Sequence, residues 1–224
     1  MTRISPSPVR KDGAVLITGS TGFVGMELLS RYLERSDRPV HALVRAEDDA
    51  GAERRLREVL ASLYGRADAY ADRVAAVPGD LESPGLGLEG GRRQLLADQV
   101  TEIVHSAASV SFSLPLEDAR EINVAGTRRM LKLGQECALG RGGLRRFSHL
   151  STAYVAGDHG GEFGEDQLDE GRDSATPTSA PSSRESAWCT TMPTTFRSRS
   201  SGRASSSESE RRAGRTRSTS STRR

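Results

Sequence analysis

The stretch from Thr18 to Gly25 reads TGSTGFVG and connects two segments of different periodicity. The run before it, AVLIT at Ala14–Thr18, is typical of a buried parallel strand. In Phe23–Arg35 the apolar residues recur three and four positions apart, which predicts a helix with one buried face. A glycine-rich turn between a strand and a helix is the context in which proteins hold the diphosphate of a dinucleotide.

Each glycine of this loop has its own predicted role. Gly19 allows the tight turn, Gly22 lets the backbone approach a diphosphate, and Gly25 lets the helix pack close to the strand. The start of the helix would present N–H groups and its positive dipole end to the phosphates. An ordinary turn is the alternative, but the position between strand and helix favours a cofactor loop. The predicted cofactor-binding residues here are Gly19, Ser20, Thr21, Gly22, Phe23, Val24 and Gly25.

The alternation of strand and helix continues along the chain. Further strands are predicted at 39–44, 73–77, 101–105 and 146–151, and helices at 52–64, 92–99 and 115–139. Repeated strand–helix units with right-handed crossovers predict an α/β fold of the Rossmann type. We expect a doubly wound parallel sheet in the order 3-2-1-4-5, truncated after its fifth strand, within an incomplete domain that spans residues 13–171.

The end of the second predicted strand bears on the choice of cofactor. An NAD site usually places Asp or Glu there, where the side chain binds the ribose 2′-hydroxyl. This chain has Arg45 at that point, directly after Val44. A guanidinium matches the geometry of a phosphate, so Arg45 favours NADP, with NAD as the alternative. The competing interpretation is an arginine that is simply solvated.

The composition changes sharply at Arg172. From there to Arg224 the chain has no Leu, Ile or Val, but 15 Ser, 9 Thr and 11 Arg. Such a segment cannot bury enough apolar surface to offset the entropy of ordering it. We therefore predict a disordered tail over residues 172–224, and also a disordered N-terminus over residues 1–12.

Charge and cysteine content exclude several classes of protein. Eleven arginines against four acidic residues give the tail a charge of +7, whereas the whole chain carries +2. The rest is therefore acidic, so the overall charge does not indicate nucleic-acid binding. The two cysteines fall one in each part, which excludes a disulfide framework. We expect a cytoplasmic protein without a membrane span or signal peptide, and without a metal site, because the four histidines lack ligand spacing.

Six stretches, in this order, resemble the extended short-chain dehydrogenase/reductases, and most closely the branch of thioester reductases and fatty acyl-CoA reductases. They are TGSTGFVG, LVRA, PGDL at 78–81, HSAA at 105–108, INVAGT at 122–127 and HLSTAYVAG at 149–157. The resemblance implies an NAD(P)-dependent oxidoreductase, which in the intact relatives reduces an acyl thioester or a related carbonyl with NADPH. A sugar-nucleotide epimerase or dehydratase on the same fold is the alternative.

The resemblance also implies roles for residues outside the glycine loop. Asp80 and Leu81 would lie beside the adenine. The cofactor's ribose and diphosphate would be lined by Ser106, Ala107 and Ala108, and Asn123 would support the central helix and the site behind it. Thr152, preceded by Ser151, matches the catalytic Ser or Thr that hydrogen-bonds the carbonyl oxygen of the substrate. The competing interpretation of Thr152 is a residue at a strand end with no chemical role.

One part of the branch's catalytic machinery is missing. These reductases use a Tyr-x-x-x-Lys pair, in which the lysine lowers the pKa of the tyrosine that acts as general acid. The lysines of this chain are Lys11 and Lys132, and the residues four positions before them are Ser7 and Arg128. We therefore expect residues 1–224 to be catalytically inactive.

The tail suggests an explanation for this loss. Codons permitted for Asp173–Glu185, read from the last base of the first codon, can encode FRNTYERSKFE, which contains the missing pair. In the same frame Ser200–Glu208 can encode FRPSIVVG, which resembles the family's sixth strand. We predict a single-nucleotide loss near codon 173. The alternatives are a genuine basic tail that binds RNA, and a regulatory protein that binds NADP without chemistry.

Overall fold

Five strands form a single sheet in the computed structural model, which describes residues 13–111, 113–152 and 162. The strands are β1 Ala14–Thr18, β2 Val40–Val44, β3 Val74–Pro78, β4 Val100–His105 and β5 Arg146–His149. Their order is β3-β2-β1-β4-β5, and every neighbouring pair is parallel. The predicted doubly wound sheet is confirmed, and its order reverses between β1 and β4, where such sheets open a crevice at their carboxyl edge.

The helices agree with the predicted ones except in their bounds. They are α1 Phe23–Arg35, α2 Asp49–Tyr64, α3 Gly90–Gln99, α4 Leu116–Arg120 and α5 Gly126–Leu139, with a 3-10 turn at Pro84–Gly87. Helix α2 begins three residues earlier than predicted because the Asp48 side chain accepts a hydrogen bond from the Gly51 N–H at 2.7 Å.

The helix predicted over 115–139 is confirmed as an unbroken helical stretch from Leu116 to Leu139, but this stretch is not α-helical throughout. A π-helical turn at Glu121–Ala125 separates α4 from α5. Asn123 lies in this turn and is 2% exposed. Its side chain bonds the backbone of the loop after β4, so the wider turn places a polar group against that loop. Turns of this kind are frequent at functional sites.

The sheet is covered on both faces. Side chains that alternate along the strands pack against α1 and α2 on one face and against α3 and α5 on the other. Val15 and Ile17 of β1 belong to the first layer, whereas Leu16 belongs to the second. All three are fully buried, which explains why β1 is apolar throughout.

Parts of the sequence-based interpretation fall outside the described residues. The predicted disordered segments, 1–12 and 172–224, lie there, as do residues 153–157 of the last matching motif. In the part of the chain that the structure describes, no helix is long and apolar enough to cross a membrane.

Candidate cofactor site

Two glycines of the loop between β1 and α1 are required by the fold itself. Gly19 has φ +77°, and a Cβ there would lie 2.7 Å from the backbone nitrogen of Ala107. A Cβ on Gly25 would lie 1.9 Å from the carbonyl oxygen of Gly19. The turn and the close approach of helix to strand, both expected from the sequence, therefore correspond to measured contacts.

Gly22 is different, because no packing reason for a glycine is visible in the described residues. Its φ is −96°, an angle that any residue adopts. A Cβ on Gly22 would have Gly19 O as its nearest neighbour, at 3.4 Å, which is ordinary van der Waals contact. A diphosphate lying against the backbone at this point would supply the missing reason.

Ser20 carries the second sign of a ligand. The residue is 1% exposed, and its hydroxyl has no hydrogen-bond partner among the described residues. A buried hydroxyl without a partner costs roughly 1–3 kcal/mol, so such groups commonly mark a site for a ligand or an ordered water. The next four residues, Thr21, Gly22, Phe23 and Val24, are exposed. Phe23 is 94% exposed although it is a large apolar side chain.

A buried histidine connects the loop to the sheet and to α5. The Thr18 hydroxyl lies 2.7 Å from Nδ1 of His105, and the Thr127 hydroxyl lies 3.0 Å from Nε2. The Thr18 oxygen also accepts the N–H of Ala107 at 3.2 Å, so its own hydrogen is available to Nδ1. Either ring nitrogen can carry the proton, so a neutral ring donates to one of these two threonine hydroxyls and accepts from the other.

The His105 imidazole is held in its neutral form. Burial, and to a smaller extent the neighbouring His149, lowers the pKa of His105 to about 3. The ring centroids of the two histidines are 5.2 Å apart. A neutral ring keeps one donor and one acceptor, and the two threonine hydroxyls can pair with both. The motif at 105–108 drew attention to this histidine, but nothing in the sequence indicated that it holds β1, β4 and α5 together.

The loop after β4 is fixed at both ends beside the glycine loop. Ser106 donates its hydroxyl to the carbonyl oxygen of Thr18 at 2.7 Å. At the other end, Asn123 accepts the N–H of Ser109 at 2.7 Å and donates to the carbonyl of Ser109 at 3.0 Å. The predicted residues Ala107 and Ala108 lie between these anchors. The structure thus places residues 106–108, which were predicted to line the cofactor, next to the glycine loop at residues 19–25.

The Asp80 carboxylate shapes its own loop. One of its oxygens accepts the Glu82 N–H at 3.1 Å, and the other accepts the Ser83 hydroxyl at 3.4 Å. The Asp80 N–H donates to the carbonyl of Leu86, a buried residue in the left-handed region with φ +66°. The Asp80 carboxylate therefore holds the backbone of its own loop, including its neighbour Leu81, and both of its oxygens are already hydrogen-bonded.

Helix α5 holds the same loop from the opposite side. Arg129 donates to the carbonyl oxygen of Leu81 at 2.7 Å. A Cβ on Gly126 would come within 3.1 Å of the Leu81 Cβ, so the helix and the loop approach closely. No sequence pattern indicates this role of Arg129, because an arginine on an amphipathic helix normally suggests a solvated face.

Arg45 lies just beyond the end of β2, as the sequence predicted. Its guanidinium donates to a Glu82 carboxylate oxygen at 3.2 Å, while the Arg45 side chain is 72% exposed. Arg55 of α2 donates to the carbonyl oxygen of Arg45. Arg45 is thus both accessible to a ligand and paired with an acidic residue that the sequence did not connect to it.

Ser151 and Thr152 follow the carboxyl end of β5. The Leu150 N–H donates to the carbonyl of His105 at 2.9 Å, which continues the pairing of β4 and β5. Ser151 is exposed and Thr152 is half-buried. The carboxyl ends of parallel strands share one edge of the sheet, so both residues lie on the same edge as the glycine loop. Their catalytic role stays a prediction.

Comparison with known proteins gives matches to a fatty acyl-CoA reductase and to a solved terminal R domain. Fatty acyl-CoA reductase 1 of Mus musculus is 33% identical over 148 residues, which is 63% of this chain and 28% of that protein. The solved terminal R domain from the myxalamid PKS-NRPS biosynthetic pathway has a TM-score of 0.68 and 32% identity, over 78% of this chain and 43% of that domain. This chain thus spans less than half the length of either protein.

A solved UDP-glucuronic acid 4-epimerase from Bacillus cereus shares the fold alone. Its TM-score is 0.58 at 20% identity, over 83% of this chain and 53% of that one. The family model NAD_binding_4, described as male sterility protein, matches residues 17–212, most of the chain. The glycine loop follows β1, where the strand order of the doubly wound sheet reverses. Together with this topology, the match shows that the chain belongs to the NAD(P)-binding male sterility protein family.

Proposed function

We propose that this chain binds NADP(H) at the carboxyl edge of its sheet and derives from a reductase of acyl thioesters. The observation that carries the proposal is the loop between β1 and α1. There Gly22 has no packing reason to be glycine, and the buried hydroxyl of Ser20 has no partner in the described part of the chain. Both features are accounted for by a diphosphate bound to the start of α1.

The described residues could hold the adenine half of the cofactor and its diphosphate. The backbone of residues 19–25 would hold the diphosphate, and residues 106–108 would line the ribose next to it. Leu81 would pack against the adenine, on the loop that Asp80 and Arg129 hold in place. Arg45 would bind the 2′-phosphate, which favours NADP over NAD.

The substrate class follows from the relatives. The mouse relative is named a fatty acyl-CoA reductase, and acyl-CoA is an acyl thioester; the solved domain is the terminal R domain of a PKS-NRPS biosynthetic pathway. When bound, NADPH supplies the hydride for such a reduction. Thr152 would donate a hydrogen bond to the carbonyl oxygen of the substrate, with Ser151 beside it. The epimerase alternative is weaker, because its representative shares only the fold.

Hydride transfer by residues 1–224 is not expected. No lysine of the chain follows a tyrosine by four positions, so the family's general acid is missing. We propose that the sequence from about residue 173 onward is the product of a lost base, because two family landmarks can be read there in one shifted frame, although the family match runs on to residue 212. Sequencing the source DNA across codons 165–210 tests this. One restored base that opens a frame with Tyr-x-x-x-Lys would support it, and the absence of such a frame would refute it.

The proposed function is tested by binding and turnover measured on the same protein. Isothermal titration of the full chain with NADPH should give one site per chain, while acyl-CoA and aldehyde substrates should produce no oxidation of NADPH. No heat of binding from a natively folded protein would refute the cofactor proposal. Measurable reduction would refute the proposed inactivity. RNA binding that is lost when residues 172–224 are deleted would instead support a functional tail.

A further inference from the structure

We propose that Glu82 sets the preference of this site between NADP(H) and NAD(H) by competing with the 2′-phosphate for Arg45. The inference rests on the proposed function and adds a residue to it. The carboxylate of Glu82 already accepts a hydrogen bond from the guanidinium of Arg45, at 3.2 Å. The Arg45 guanidinium, which would bind a 2′-phosphate, is therefore already paired with a carboxylate of the same chain.

The backbone on both sides of this ion pair is fixed. The Gly79 N–H donates to the carbonyl of Val44 at 3.1 Å, which extends the pairing of β2 and β3 up to Arg45. The Glu82 N–H is bound by the Asp80 carboxylate at 3.1 Å. The backbone at Arg45 and at Glu82 is therefore held in place on both sides of the ion pair. Because of this, the negative charge of Glu82 stays close to Arg45 even when the ion pair breaks.

The pair is weak enough for a ligand to replace it. The side chains of Arg45 and Glu82 are 72% and 42% exposed, and ion pairs in such positions contribute little to stability. A phosphate offers the guanidinium two oxygens and more charge than a carboxylate. We therefore expect the 2′-phosphate to take Arg45 from Glu82, with a remaining penalty because the displaced carboxylate lies beside a second anion.

The same carboxylate favours the competing cofactor. In NAD sites an acidic side chain at the end of the second strand accepts a hydrogen bond from the ribose 2′-hydroxyl. This chain has Arg45 at that place, but Glu82 brings a carboxylate to its side from the loop after β3. Glu82 thus acts in opposite directions on the two cofactors, which is the requirement for a specificity-determining residue.

The test measures the dissociation constants of NADPH and NADH for the full chain by fluorescence titration. E82Q should raise the ratio of the NADH constant to the NADPH constant three- to tenfold, mainly through tighter NADPH binding. The matched control is E27Q, which breaks an exposed ion pair to Arg31 on α1 and should leave the ratio unchanged. R45Q should bring the ratio close to one.

The outcomes separate this inference from the proposed function. An unchanged ratio in E82Q, with R45Q lowering it, would overturn the role of Glu82 and leave the cofactor site standing. An unchanged ratio in R45Q would overturn the assignment of the 2′-phosphate and the inference with it. Wild-type chain that binds neither cofactor would overturn both.

Discussion

Replacement of Gly22 by alanine separates the binding of a diphosphate from the stability of the fold. The new Cβ would meet only Gly19 O, at 3.4 Å, and the φ of −96° suits alanine as well as glycine. We therefore expect G22A to fold like the wild type. The methyl group would, however, stand on the exposed side of the loop, where a diphosphate approaches the N–H groups at the start of α1.

The effect of G22A on the stability of the fold should be smaller than its effect on the binding of NADPH. Alanine gains roughly 0.4–1 kcal/mol by restricting the unfolded chain, and loses about as much as a poorer residue than glycine at the position before a helix. The free energy of unfolding should therefore change by less than about 1 kcal/mol, a shift in Tm of at most about 4 °C. Loss of one N–H to phosphate hydrogen bond costs about 1.5–3 kcal/mol, which weakens binding by about 10- to 150-fold.

The assay is isothermal titration with NADPH, run beside thermal unfolding of the same preparation. The matched control is G91A on α3, where a Cβ would find open space and where alanine should stabilise the helix without changing the affinity for NADPH. The reasoning would be refuted if G22A kept the wild-type affinity, or if it unfolded several kcal/mol more easily than the wild type.

Three further predictions concern the groups that hold the site. H105Q should lower the free energy of unfolding by about 1–3 kcal/mol in denaturant titrations, because the buried hydrogen bonds between His105 and the two threonines are disrupted. An unchanged value would contradict this network. The pKa of His105 is about 3 in the folded chain, below its ordinary value of 6.5, so the unfolded chain binds more protons between these values and stability falls as the pH drops below about 6.5. The free energy of unfolding should fall by about 1.4 kcal/mol for each pH unit in this range. When it is measured at pH 7.5 and at pH 5.5, the wild type should show this loss and H105Q should lack it. N123A should speed hydrogen exchange of the Ser109 amide and weaken NADPH binding, whereas N123D, which keeps the acceptor, should have a smaller effect on that amide.

The fold could be predicted because its signals are local. The buried strand β1 is a run of apolar residues, and the amphipathic period of α1 follows it directly. The order of the sheet then follows from strand–helix alternation and the handedness of crossovers. The π-helical turn at Glu121–Ala125 could not be predicted, since it leaves the apolar period of the surrounding helix nearly unchanged.

The site was predictable only in part, for a related reason. Gly19 and Gly25 could be predicted from the glycine-rich motif, because a side chain does not fit the tight turn at Gly19 or the close helix contact at Gly25. The partners Arg129 and Glu82 are distant in sequence from what they bind, and charged residues on a helix or in a loop are ordinarily solvated. Only the folded chain brings Arg129 to the carbonyl of Leu81, and Glu82 to Arg45.

The most direct test of the central claim is hydrogen exchange of the full chain with and without saturating NADPH, read by mass spectrometry. Binding as proposed should slow exchange in two separate segments, residues 19–25 and residues 106–109, which adjoin only in the folded sheet. The G22A variant should lose this protection at the same NADPH concentration. Protection confined to other segments, or none in a chain that still unfolds cooperatively, would contradict a dinucleotide site at this edge of the sheet.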